Sequence, residues 1–188
     1  MSLSTRFVMD DRHESQAVSE LGLELGADAS AELAALLPHI RGGPRIAKRA
    51  ISAPDVLNEA HAYAKPSSFS RGMRVSLPGA TMLFLSGTAS IDEHGATLHE
   101  GDFDAQCLRT YRNLTRLLEG EGADWRDVVR TTCYLRDIER DYAAFNRLRT
   151  WFFALAGCDP LPASTAIQAR LCRSDLLVEI EAIAVLPG

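Results

Sequence analysis

Glu179 and Glu181 alternate with Val178, Ile180 and Ala182 in an otherwise apolar run near the C-terminus. Successive side chains of a strand point to opposite faces, so the two acids share one face and the three apolar residues the other. Carboxylates in such a strand are usually solvated or ion-paired, but one that lines a pocket can hold a water or move a proton. The spacing between them, about 6 to 7 Å along a strand, lets only one reach a given water. The common catalytic signatures are absent: no GxSxG elbow, no Walker-type phosphate loop, no GxGxxG after a strand and no HExxH. His94 and His99, with Asp92, Glu93 and Glu100, form one cluster with metal-ligand chemistry. They fall in a segment holding Gly95 and Gly101, where a solvated loop is expected, so neither metal nor cofactor is assigned.

These residues must be positioned by a fold that the composition bounds. A chain of 188 residues suits one domain with an extension. Hydrophobic residues at 46% and charged residues at 24% place it with globular proteins and exclude collagen, coiled coil and disorder throughout. The net charge is -5 and no basic stripe interleaves with aromatics, so neither nucleic acid nor an anionic membrane is expected as partner. The four cysteines form no CxxC pair and are expected as reduced, mostly buried thiols. The opening residues turn acidic where a secretion signal would be apolar, and no apolar run is long enough to span a membrane. A cytoplasmic setting is the expectation.

Residues 1–65 read as an N-terminal extension, with a helical patch at 30–37 and a second helix over 55–63 after Pro54. From residue 66 the signals become regular. Strands are expected at 70–76 and 81–86 around the turn Leu77-Pro78-Gly79-Ala80. Asp102 then caps a helix with the stripe Phe103, Cys107, Tyr111, Leu114 and Leu118, closed by Gly120. A strand at 128–135 and a helix over 139–155, with Phe145, Leu148 and Phe152 inward, come next. Strands at 163–171 and 176–185, joined by the turn Cys172-Arg173-Ser174-Asp175, read as a hairpin-like closure. The order predicts an α+β domain with both helices on one face of a mixed sheet.

Six pieces of residues 66–188 fall in a familiar order: Leu85-Ser86-Gly87, 106–118 with Asn113-Leu114, Val128-Val129 before Thr131, Ala144-Phe145-Asn146, Pro162-Ala163, and Val178-Glu179-Ile180-Glu181-Ala182-Ile183-Ala184. On these the chain resembles the RidA (YjgF, endoribonuclease L-PSP) family. The resemblance implies a chorismate-mutase-like fold, a homotrimer with pockets between subunits, and hydrolysis of small carboxylated enamines or imines by water addition. It gives Glu179 the water-positioning role, Asn146 a place in the pocket and Gly87 the backbone donor loop, with Phe69 where a pocket Tyr is common. Deaminating relatives clamp the substrate carboxylate with an Arg directly after the Pro-Ala step, and here that residue is Ser164.

A bidentate guanidinium pair contributes roughly 3 kcal/mol, so its loss would weaken the hold on a free carboxylate on the order of a hundredfold unless another cation replaces it. Arg71, Arg74 and Arg170 are the replacements expected from the sequence, the last by strand parity with Ser164. Residues 86–91 and 101–106 are also similar to the RidA-like half of chorismatases, which hydrolyse an enol ether. The alternatives to a deaminase are therefore a chorismatase-like hydrolase and a non-catalytic member that binds a metabolite or protein.

Overall fold

Alternating apolar residues build the sheet and two amphipathic helices cover one side of it. The computed structural model describes residues 45–63 and 66–188. Its strands are β1 (Ala47–Ile51), β2 (Gly72–Leu77), β3 (Ala80–Ala89), β4 (Val128–Leu135), β5 (Ala163–Gln168) and β6 (Val178–Pro187), and its helices are α1 (Phe103–Glu119) and α2 (Ile138–Leu155). The strand order is β1-β2-β3-β6-β4-β5. This is the expected α+β architecture of a mixed sheet with two helices: α1 packs on β3 and β6, and α2 on β4 and on α1.

Helix α1 starts where Asp102 accepts from the Ala105 amide at 3.0 Å, and its whole expected stripe is buried. Helix α2 starts at Asp137, which caps Arg140 in the same way. Phe145 and Phe153 are buried, while Leu148 and Phe152 are partly buried against the core. Phe152 stacks on Tyr111 at 4.3 Å and meets Trp125 edge-on at 5.0 Å, which fastens α2 to α1.

Three expectations require correction or limits. The patch at 30–37 lies outside the described residues. Instead of a helix over 55–63 there is a turn closed by Leu57 N to Ala53 O at 2.8 Å and one 3-10 turn, Ala60–Ala62. The Asn58 carbonyl, which a continuing helix would give to the amide four residues on, accepts instead from Arg71 Nε at 2.9 Å. Finally, the strands flanking 172–175 are not a hairpin. β5 pairs with β4 in parallel, α2 being the crossover that parallel pairing needs, while β6 inserts antiparallel between β3 and β4. The apolar row Val178, Ile180, Ala182 and Ala184 is buried in that central place, and the largely exposed β5 suits the edge.

The compact unit begins at Ile46, so β1, which sequence reading assigned to the extension, belongs with the sheet as its other edge. The sheet face turned away from the helices shows Phe84, Ile167 and Val185 to solvent at 37–43% exposure. No helix among the described residues is long and apolar enough to cross a membrane.

Gln106 ties these layers to the site described next. Its side chain is fully buried, accepts from Leu177 N at 2.8 Å and donates to Asp175 O at 2.8 Å. Gln106→Leu leaves two backbone groups without partners, at about 1–3 kcal/mol each, so urea unfolding is expected to lose about 2–4 kcal/mol. An unchanged midpoint would refute this.

Candidate functional site

The site grows from an irregularity in the β3–β6 ladder. Leu85 pairs with Ala182 but Thr88 with Ile180, so β3 carries one extra residue across Ser86 and Gly87. Such a bulge re-aims the chain beside a site. Here Ser86 N donates to Arg71 O at 3.1 Å, Ser86 Oγ to Ser70 O at 2.7 Å and Thr88 Oγ1 back to Ser86 O at 2.9 Å. Gly87 is thereby pressed against Glu179: a β-carbon on Gly87 would sit 2.0 Å from Glu179 Oε1. Only glycine leaves the carboxylate in place.

Glu179 is half-buried in a cavity of about 370 Å³ that Phe69, Arg71, Gly87, Cys172 and Arg173 also line. Burial raises its pKa above the ordinary carboxylate value, and the like charge of Glu181 adds to the rise. Glu181, two residues on, also reaches this cavity. Tyr134, on the same sheet face, has its pKa raised first by burial and then by the influence of Glu181. Among the described residues Glu181 makes no ion pair.

Arg71 is 3% exposed. Its Nε donates to Asn58 O at 2.9 Å and its Nη2 to the Tyr63 hydroxyl, and its guanidinium lies 5.0 Å from the Tyr63 ring centre and 5.2 Å from that of Phe69. Phe69 and Tyr63 therefore work as cation–π walls for a buried charge. Arg173 is fixed across the cavity by the Gly95 carbonyl, while Arg136 donates to the carbonyls of Arg173 and Leu176. The result is a carboxyl with raised proton affinity and two cations bordering one small space.

Asn146 and Ser164 lie elsewhere. They line a second cavity, about 1110 Å³, between α2 and β5. Ser164 pairs across from Thr131, whose Oγ1 donates to Ser164 Oγ at 3.0 Å, on the helix-covered face. Glu179, opposite Tyr134, is on the other face. Within one chain the structure thus brings together Glu179, Gly87, Phe69 and Arg71, and keeps Asn146 and Ser164 apart from them. Arg170 follows the end of β5, exposed, and borders neither cavity. Arg74 pairs with Glu121 at 3.2 Å. Asp92, from the acidic loop, is spent on its own turn, accepting from the amides of His94 at 2.9 Å and Ala96 at 2.8 Å.

Sequence reasoning missed Arg173, Tyr63 and Arg149. The last donates from Nη2 to Asn146 Oδ1 at 2.6 Å and from Nη1 to Ser164 Oγ at 3.1 Å. Its spacing of three from Asn146 on one helix was the available signal.

Comparison with known proteins gives consistent matches. The family model described as Endoribonuclease L-PSP matches residues 60–186. A RutC family protein of Pyrococcus abyssi is 33% identical over 102 residues, 54% of this chain and 76% of its own. The 3-aminoacrylate deaminase RutC of Acinetobacter baylyi is 29% identical over 103 residues, 55% of this chain and 78% of its own. Among solved structures, the YjgF gene product of E. coli superposes with a TM-score of 0.59 at 25% identity, covering 73% of this chain and 98% of that one.

Proposed function

Because the chain belongs to the endoribonuclease L-PSP family, we propose that it hydrolyses a small carboxylated enamine or imine to the 2-oxo acid and ammonia, with Glu179 as the group that handles the water. The observation that carries this reading is the seating of the Glu179 carboxyl, its pKa raised by burial, against the glycine bulge in a cavity bordered by Arg71 and Arg173. The relative named 3-aminoacrylate deaminase supports the substrate class.

The chemistry needs few parts. An enamine that has taken a proton at carbon becomes an iminium, whose sp² carbon is open to water. Glu179 accepts a proton from that water as the new C–O bond forms, giving a carbinolamine. That proton then passes to nitrogen, the C–N bond breaks and ammonia leaves, and the Glu179 carboxylate takes the hydroxyl proton as the carbonyl forms. A carboxyl whose pKa lies above the usual range, moving toward the working pH, suits both directions of transfer. Gly87, with no side chain, leaves the carboxyl in its place against the bulge. Arg71 and Arg173 favour an anionic substrate through their positive potential.

Ser164, in place of the expected Arg, favours the second reading, a non-catalytic member that binds a metabolite. The test is to generate 2-aminoacrylate with a serine dehydratase in the presence of semicarbazide. The protein is expected to divert the intermediate to pyruvate and lower semicarbazone formation severalfold. Unchanged partition at micromolar protein would leave the binding reading.

We place the protein in the cytoplasm because all four cysteines are unpaired. We also infer a homotrimer, supported by Phe84, Ile167 and Val185 on the uncovered sheet face. Light scattering is expected to give the mass of three chains, and the mass of one would overturn the assembly.

A further inference from the structure

We propose that Arg149 holds the substrate carboxylate, rebuilding from helix α2 the cation that β5 lacks at Ser164. The proposal rests on the deaminase reading for its choice of ligand, but its geometry stands by itself.

Three contacts fix the guanidinium. Asn146 Oδ1 accepts from Nη2 at 2.6 Å, Ser164 Oγ accepts from Nη1 at 3.1 Å, and the Phe145 ring centre lies 5.1 Å from the guanidinium carbon. Asn146 is one turn before Arg149 on the same helix face, and Ser164 is anchored in turn by Thr131. All of these holders are neutral. Among the described residues no carboxylate is in ion-pair range of Arg149, so its charge is held in place without being neutralised. Several other arginines of the sheet and helices are neutralised: Arg49 and Arg74 meet Glu121, Arg140 meets Asp141 and Arg147 meets Asp104; Arg130 and Arg109 make no ion pair either, but neither borders the cavity between α2 and β5.

A guanidinium has five N–H donors, and two neutral bonds leave the others for a carboxylate in the adjoining cavity. Fixing the planar fork beforehand removes much of the entropy cost of binding. The small hydroxyl at Ser164 matters here. An arginine at that position would compete for the space and repel the charge that Arg149 brings from the helix.

The position of this clamp has a further requirement. Ser164 and Glu179 lie on opposite faces of the sheet in one chain. A carboxylate bound at Arg149 can therefore meet only the Glu179 of a second copy, and each reacting centre would draw its anion clamp from one chain and its proton carrier from another.

Calorimetric titration with pyruvate, an unreactive carboxylate of the right size, tests the clamp apart from the chemistry. The intact protein is expected to bind pyruvate. Arg149→Met should weaken that binding at least tenfold and Arg149→Lys by less, since lysine keeps the charge but loses the fork. Equal binding by Arg149→Met and the parent, or no binding by the parent at millimolar pyruvate, overturns the proposal. Arg149-dependent binding without any effect on 2-aminoacrylate would leave the clamp standing and remove the deaminase reading. Where the parent is active, co-expressed Arg149→Met and Glu179→Gln chains should recover turnover that neither has alone. Mixed assemblies as inactive as their parents would refute the shared centre.

Discussion

Glu179→Gln is expected to lower 2-aminoacrylate turnover by about 10²–10⁴-fold, the usual range for losing a general acid or base, while raising stability at neutral pH. The two effects have one origin. Burial and the neighbouring Glu181 raise the pKa of Glu179 above its ordinary value of 4.5, so the folded protein binds this proton more tightly than the unfolded chain does. Below the unfolded pKa both states hold the proton and the residue contributes nothing to pH dependence. As pH rises through that value the unfolded chain releases its proton first, and folding stability falls until the folded pKa is passed. Glutamine has no proton to lose. Thermal melts of variant and parent should coincide near pH 3 and separate toward pH 8, with the variant melting higher. A variant that keeps activity within tenfold, or that melts lower at pH 8, would contradict the role.

Gly87→Ala is expected to remove most activity, on the order of a hundredfold, with little change in the unfolding midpoint. The added methyl would meet Glu179 Oε1 at 2.0 Å and Cδ at 2.9 Å, which no side chain tolerates. The obstacle is the end of a flexible side chain, so the carboxylate swings aside and the backbone need not move. Gly87 has no left-handed φ to lose, since the positive-φ glycines are Gly79, Gly95, Gly101, Gly122 and Gly157. Function and fold therefore separate at this position. Loss of activity accompanied by unfolding would mean that the bulge itself cannot hold a side chain, and full activity would mean that the carboxylate works from another rotamer.

How much of this was legible beforehand depends on the range of each interaction. Helix α1 was readable because Asp102 and its five-residue stripe act within a single segment. The face shared by Glu179 and Glu181 was readable for the same reason, since alternation is local. Strand β1 was not, because Ala47–Ile51 shows no alternation and is a strand only by pairing with β2. The misassigned closure at 172–175 shows a related limit: turn residues announce a reversal but not which strand lies alongside afterwards. Ser164 was visible as a missing charge by its place after Pro162-Ala163. Its relation to Arg149 depends on a long side chain crossing from a helix to an edge strand fifteen residues later, and the parity argument looked along the strand to Arg170 instead.

Cys172 offers an experimental handle. Cys107, Cys133 and Cys158 are buried, and burial pushes the Cys107 thiol up to about 12 and raises the other two as well. Cys172 is exposed and borders the Glu179 cavity beside Arg173. A thiol-reactive dye added to the unaltered protein would thus attach at one position per chain, at the mouth of the cavity. Its emission would report occupancy in real time, and the rate of its attachment would show how far a bound ligand closes the entrance.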